Sequence, residues 1–212
     1  GSGEDDTFNL FAKDSSTPLW SYELSDEWIM NLDMSADGEY LVGCTYFIAD
    51  GSTGGKIYLF DKDSSTPLWS YTTGGYTSSV SISADGEYIA LGTKDGESRI
   101  YLFDKDSSTP LWTYNTGDWV LSVSISADGE YISAGSKDKK VYLFDQSGDL
   151  QWSYTNSAGY IYSVALSADG EYLAVGSYGN AYLFDKDSST PKWNYTTTIQ
   201  DLDISSNGDY IV

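Results

Sequence analysis

Carboxylates dominate the side chains with which this chain could do chemistry. Asp and Glu number 32 against 11 Lys and Arg, and histidine is absent. Without His, and with Cys44 as its one cysteine, the sequence offers no Ser-His-Asp triad, no Cys-His pair and no ordinary zinc site. No glycine-rich phosphate loop leads into a helix. What remains is acid chemistry: a glycosidase pair, or an oxygen-ligated cation such as calcium. Most of the acids recur in equivalent turns, as Asp37, Asp85, Asp128 and Asp169 do with Glu39, Glu87, Glu130 and Glu171. A catalytic pair needs two environments that push its pKa values apart, and repetition works against that. Three acids break the pattern. Asp33 and Asp203 stand where other copies have Ser81, Ser124 and Ala165, and Asp201 lies one strand alternation before Asp203. These three are the candidate metal ligands, expected to face a central channel near one another. The run Asp61-x-Asp63-x-Ser65 lacks the central Gly and distal Glu of a calcium loop, so it reads as turn capping.

Aromatic residues form a second pattern. Seven residues before each repeated Ser sit Trp28, Tyr76, Trp119, Tyr160 and Thr198. Four aromatics at equivalent positions would crown one mouth of a ring and offer flat, rigid area to a sugar or a protein anchor. They are the candidate ligand-binding residues, expected in the loops between repeats. Packing between neighbouring repeats is the plainer alternative. The insertion between Tyr46 and Gly55 lies in a loop on the same face. Trp20, Trp69, Trp112, Trp152 and Trp193 recur in the other half of the unit and read as core.

These residues are placed by a repeat of about 42 residues, which points to a repeat architecture before any other fold. Ser-Ala-Asp-Gly-Glu-Tyr begins at Ser35, Ser83, Ser126 and Ser167, with Ser-Ser-Asn-Gly-Asp-Tyr at Ser205. Within one unit, Val80–Ser83 alternates apolar and polar, Asp85-Gly86 supplies a hairpin turn, and Tyr88–Gly92 is apolar enough for burial on both faces. Arg99–Phe103 makes a third strand and the segment from Pro110 an edge strand. Four short antiparallel strands per unit describe a β-propeller blade. The fold class is therefore all-β: a five-bladed propeller of four-stranded blades in one domain over 7–212. The sequence opens with the third and fourth strands of a unit and stops with the first and second. Pairing of 201–212 with 7–22 is expected to close the ring. A fragment of a larger seven- or eight-bladed array is the rival. Residues 1–6 read as an expression lead.

The spacing Asp61 to Trp69, repeated at Asp104 to Trp112 and Asp185 to Trp193, resembles the PQQ-like (quinoprotein-like) repeat. The whole unit also resembles WD-like repeats of archaeal, often surface-exposed, proteins. That resemblance implies a propeller over essentially the whole chain, and it implies an extracellular or cell-surface setting. WD repeats use a Gly-His, a Trp-Asp dipeptide and a buried His, none of which this chain can match. Quinone-binding dehydrogenases resemble larger rings whose cofactor and calcium ligands have no counterparts here, so no cofactor is expected beyond a possible calcium ion.

Composition narrows the partners. A net charge of −21 repels phosphate backbones and anionic membrane surfaces, which argues against nucleic acid. No apolar run approaches the roughly 20 residues of a membrane helix. The expectation is a monomeric, non-catalytic module that presents a loop face to a protein or glycan. A carboxylate glycosidase, a quinoprotein-like enzyme and a structural spacer are the alternatives.

Overall fold

The computed structural model describes residues 6–49 and 52–212. Every regular element in it is a strand. A two-stranded sheet comes first, β1 (Thr7–Phe11) and β2 (Pro18–Glu23). Four blades of four antiparallel strands follow. The first is β3 (Glu27–Met34), β4 (Tyr40–Ala49), β5 (Ser52–Asp61) and β6 (Trp69–Thr73). The second is β7 (Tyr76–Ile82), β8 (Tyr88–Lys94), β9 (Arg99–Asp104) and β10 (Trp112–Asn115). The third is β11 (Val120–Ile125), β12 (Tyr131–Ser136), β13 (Lys140–Asp145) and β14 (Leu150–Thr155). The fourth is β15 (Ile161–Leu166), β16 (Tyr172–Ser177), β17 (Ala181–Asp185) and β18 (Trp193–Tyr195).

Burial grades across each blade as its sequence dictates. The second and third strands are near-continuous apolar runs and are buried almost throughout, as in β8 and β9. The fourth strand alternates half-buried and exposed residues, as an edge does. The core lies between blades rather than within them. Val42, Cys44, Ile57 and Leu59 of the first blade pack on Val80, Ile82, Ile89 and Leu91 of the second. The repeated Trp seals the rim of each junction. Trp20, Trp69, Trp112 and Trp152 lie 5.2 to 5.5 Å from Phe60, Phe103, Phe144 and Phe184 of the following blade.

The Ser-Ala-Asp-Gly-Glu-Tyr motif is a self-contained clasp. Ser83 Oγ donates to Asp85 at 2.6 Å and accepts the Tyr88 N–H at 3.0 Å, while Asp85 also takes the Glu87 N–H. Gly86 has φ 76°, and a Cβ there would lie 2.4 Å from the Tyr40 ring of the preceding blade. Glycine is required on both counts. The clasps also join blade to blade: Ala36 N–H donates to Ala84, Ala84 to Ala127, Ala127 to Ala168 and Ala168 to Ser206.

Two expectations are corrected. The segments 201–212 and 7–22 do not pair among the described residues. As strands, β1 and β2 pair only with each other, and Ile204 forms an isolated bridge with Ile211. Each half packs on its own neighbouring blade instead. Secondly, the insertion between Tyr46 and Gly55 extends the two strands: β4 runs to Ala49 and β5 starts at Ser52, in register, with Tyr46 opposite Gly55 and Phe47 opposite Gly54. The lead assigned to residues 1–6 lies largely outside the described residues. Asp6 is described, and its carboxylate accepts the Ile29 N–H at 2.7 Å.

Candidate binding face and central channel

The first strands of the blades, with 201–203, line one channel of about 360 Å3. Their side chains have a defined job there. Each strand offers acceptors to backbone N–H groups of the next blade: Asn31 to Val80, Asp33 to Ile82, Ser79 to Val123, Ser122 to Val164, Ser124 to Leu166 and Ser163 to Leu202. These bonds satisfy amides that would otherwise be stranded between sheets. Asp33 is thus one of a ring of acceptors. Burial pushes its carboxyl above the usual range, opposed by N–H donors from Ile82 and Met34 and by the Ser81 hydroxyl. Asp201 accepts the Ser163 hydroxyl at 3.2 Å, and Asp203 accepts the Ile204 N–H at 2.8 Å. The three acids are not gathered into a cation site; among the described residues no three metal-ligating side chains converge.

The aromatic positions lie at the opposite end of the same strands. Trp28 sits within β3, Tyr76 opens β7, and Trp119 and Tyr160 immediately precede β11 and β15. Trp28 and Tyr76 are therefore on strand ends, while Trp119 and Tyr160 are the last residues of inter-blade loops. A β-bulge follows in each blade, between Ile29 and Asn31, Thr77 and Ser79, Val120 and Ser122, and Ile161 and Ser163. Bulges re-aim a strand locally, and here they separate the channel-facing segment from the aromatic one. Trp28, Tyr76 and Trp119 are half-buried, and Tyr160 is 39% exposed.

The structure joins these rings in two groups rather than one crown. Trp28 stacks on Tyr46 at 5.0 Å, and Tyr46 meets Tyr76 edge-on at 5.2 Å. Two blades on, Lys137 Nζ lies 3.7 Å from the Trp119 ring centre and 5.5 Å from that of Tyr160. The bridging residues, Tyr46 and Lys137, have Lys94 and Tyr178 as their equivalents, and sequence reasoning did not single these positions out. A signal was present: each follows the buried Thr or Ser late in the second strand, at Thr45, Thr93, Ser136 and Ser177.

A further unforeseen feature is the buried Glu27. Its carboxylate accepts from Thr45 Oγ1 at 2.7 Å, from the Tyr58 hydroxyl at 2.9 Å and from Lys56 Nζ. Burial, with this carboxylate second, pushes the Tyr58 hydroxyl well above the ordinary phenol range. Tyr142 and Tyr182 donate from equivalent sites to Asp138 and Asn156. A tyrosine hydroxyl thus secures these junctions beneath the aromatic groups.

Four-stranded blades joined through first-strand acceptors and a rim Trp define a β-propeller repeat protein of the PQQ-like kind. The chain belongs to the PQQ_2 family, whose model, described as outer membrane protein assembly factor BamB, matches residues 53–209. No curated protein matches the chain.

Proposed function

We propose that this protein is a non-catalytic interaction module that presents the aromatic end of its blades to a protein or glycan at a cell surface. The observation that carries this reading is the pair of partly exposed aromatic groups, Trp28–Tyr46–Tyr76 and Trp119–Lys137–Tyr160, on one end of the blades. Core packing accounts for the repeated Trp of the fourth strands, but it does not require Tyr160 and Tyr178 to be exposed at 39% and 56%. Rigid rings held by neighbours lose little entropy on binding, which suits a recognition surface. The description of the matched family as an assembly factor supports contact with other macromolecules as the mode of action. The channel acids support the non-catalytic part: Asp33 and Asp201 are acceptors in bonds that cross between units, and Asp203 accepts the Ile204 N–H. A glycan array probed with the wild type and with Trp119→Ala tests the glycan arm. Selective signals that fall at least tenfold in the variant are expected. Identical profiles for the two proteins would remove Trp119 from the binding surface and confine the reading to protein partners.

A further inference from the structure

Seven of the eleven cationic side chains lie in ion pairs: Lys13, Lys56, Lys62, Arg99, Lys105, Lys186 and Lys192. The other four are Lys94, Lys137, Lys139 and Lys140, and among the described residues none of these has a carboxylate within ion-pair distance. Two of the four, Lys137 and Lys139, fall in the turn between β12 and β13, and Lys140 opens β13.

The acid within this turn is already committed. Asp138 accepts from the Tyr142 hydroxyl at 2.5 Å and from the Gly117 and Lys140 N–H groups at 2.9 Å each. Asp118, on the neighbouring loop, accepts the Trp119 N–H at 2.8 Å. The lysines keep their charge available. Lys139 also holds a left-handed backbone, φ 74°, where Gly or Asn costs less.

These charges adjoin an aromatic cleft. A cavity of about 300 Å3 is lined by Lys139, Ala158, Gly159, Tyr160, Tyr162 and Tyr178. Tyr160 and Tyr162 stand perpendicular, 6.3 Å apart, which gives the cleft a floor and a wall. Gly159 permits the approach of Tyr178, whose Cβ would lie 2.9 Å from a side chain there. Lys137 is fixed at the lip between Trp119 and Tyr160. Flat rings suit the apolar face of a pyranose, and adjacent ammonium groups suit a carboxylate carried on that ring. The volume is at the lower end for small-ligand sites and fits a short segment of sugar.

We infer that this cleft, on the junction of the third and fourth blades, binds an acidic glycan of uronic-acid type, with Tyr160, Tyr162 and Tyr178 against the sugar and Lys137 and Lys139 toward its carboxylates. The inference rests on the aromatic end being the binding face and adds the ligand class. The overall charge of −21 opposes any anion at long range. Within a Debye length of about 8 Å at physiological salt, Lys139 in the cleft wall and Lys137 at its lip supply positive charge.

The test uses an oligogalacturonate and the same oligosaccharide with its carboxyls methyl-esterified, measured by calorimetry on the full chain. The free acid is expected to bind about tenfold or more tightly than the ester, the scale of one charge-assisted contact. The variant Lys137→Gln/Lys139→Gly, checked for unchanged thermal unfolding, is expected to lose that preference. Lys139→Gly relieves the left-handed strain, so loss of fold is not its expected consequence. Tyr160→Ala is expected to weaken acid and ester alike. Equal binding of acid and ester by the wild type, or a variant that keeps the preference, overturns the inference while leaving the aromatic face as a glycan site. Absence of binding to either sugar overturns it too, with protein partners still open to the aromatic face. Equal affinity for a Glu-rich peptide would overturn the sugar assignment, because the aromatic wall would then be idle.

Discussion

The indole Nε1–H of Trp112 donates to the main-chain carbonyl of Gln146 at 2.9 Å, across the junction of the second and third blades. Trp20, Trp69 and Trp152 make the same bond to Lys62, Lys105 and Lys186. The third copy changes Lys to Gln and shortens its turn, yet the bond persists because a backbone carbonyl is the acceptor. Replacement of Trp112 by Phe keeps a ring against Phe144 and removes the donor. A loss of about 1–2 kcal/mol is expected, read from the midpoint of urea unfolding with an unchanged slope.

Glu27 gathers Lys56, Tyr58 and Thr45 within a space that leaves it only 5% exposed. Glu27→Ala leaves an ammonium and two hydroxyls without their acceptor. A cost of about 3–5 kcal/mol is expected. Glu27→Gln keeps one acceptor oxygen and is expected to cost less. Chemical denaturation of the two variants side by side checks the order, and equal losses would show that packing rather than the carboxylate is at issue.

The raised pKa of Asp33 has a definite sign for stability. Its unfolded carboxyl ionises near 3.8, while the folded one holds its proton to higher pH because burial disfavours the charge. The unfolded chain therefore releases this proton first, and stability from this group falls as pH rises from about 3.8 through the folded value, then stays flat. Asp33→Asn keeps an acceptor for the Ile82 N–H and cannot ionise. The variant is expected to gain on the wild type in melting temperature as pH rises through that window and to match it most closely in strong acid. Melting curves between pH 3 and 7 decide the matter; a gap that widens in acid contradicts it.

Cys44 lies in the junction of the first two blades with no exposed surface. Burial pushes its thiol up to about 12, with only weak opposition from Thr77 and the Asn31 backbone. Thiolate is the reactive form, so native protein at pH 8 is expected to resist a colorimetric disulfide reagent and to react fully in denaturant. Prompt native labelling would mean that the junction opens.

The blade itself was legible in the chain. The repeat period, the Asp-Gly turn, the two apolar middle strands and the edge strand that carries Trp all follow from local patterning, and the family match over 53–209 agrees. The core role of Trp20, Trp69, Trp112 and Trp152 was legible too, because an apolar ring recurring at one strand position has only a neighbour's face on which to pack. The last copy departs: Trp193 is 42% exposed, with no following blade against it among the described residues.

Only the tertiary structure decided what the unrepeated residues do. Asp33 reads in sequence as a possible ligand, but across the junction it meets the Ile82 N–H, and no local pattern reports a bond spanning 49 positions. Trp28 and Tyr76 read as members of one crown, whereas Tyr46 ties them into one group and Lys137 ties Trp119 to Tyr160 in another. The pairing of 201–212 with 7–22 was a statement about two complementary halves. Whether halves meet depends on the curvature summed over every junction between them. Local sequence determines each blade because turns and alternation act over a few residues; how the blades sum, and which side chains then face one another, is settled by packing between them.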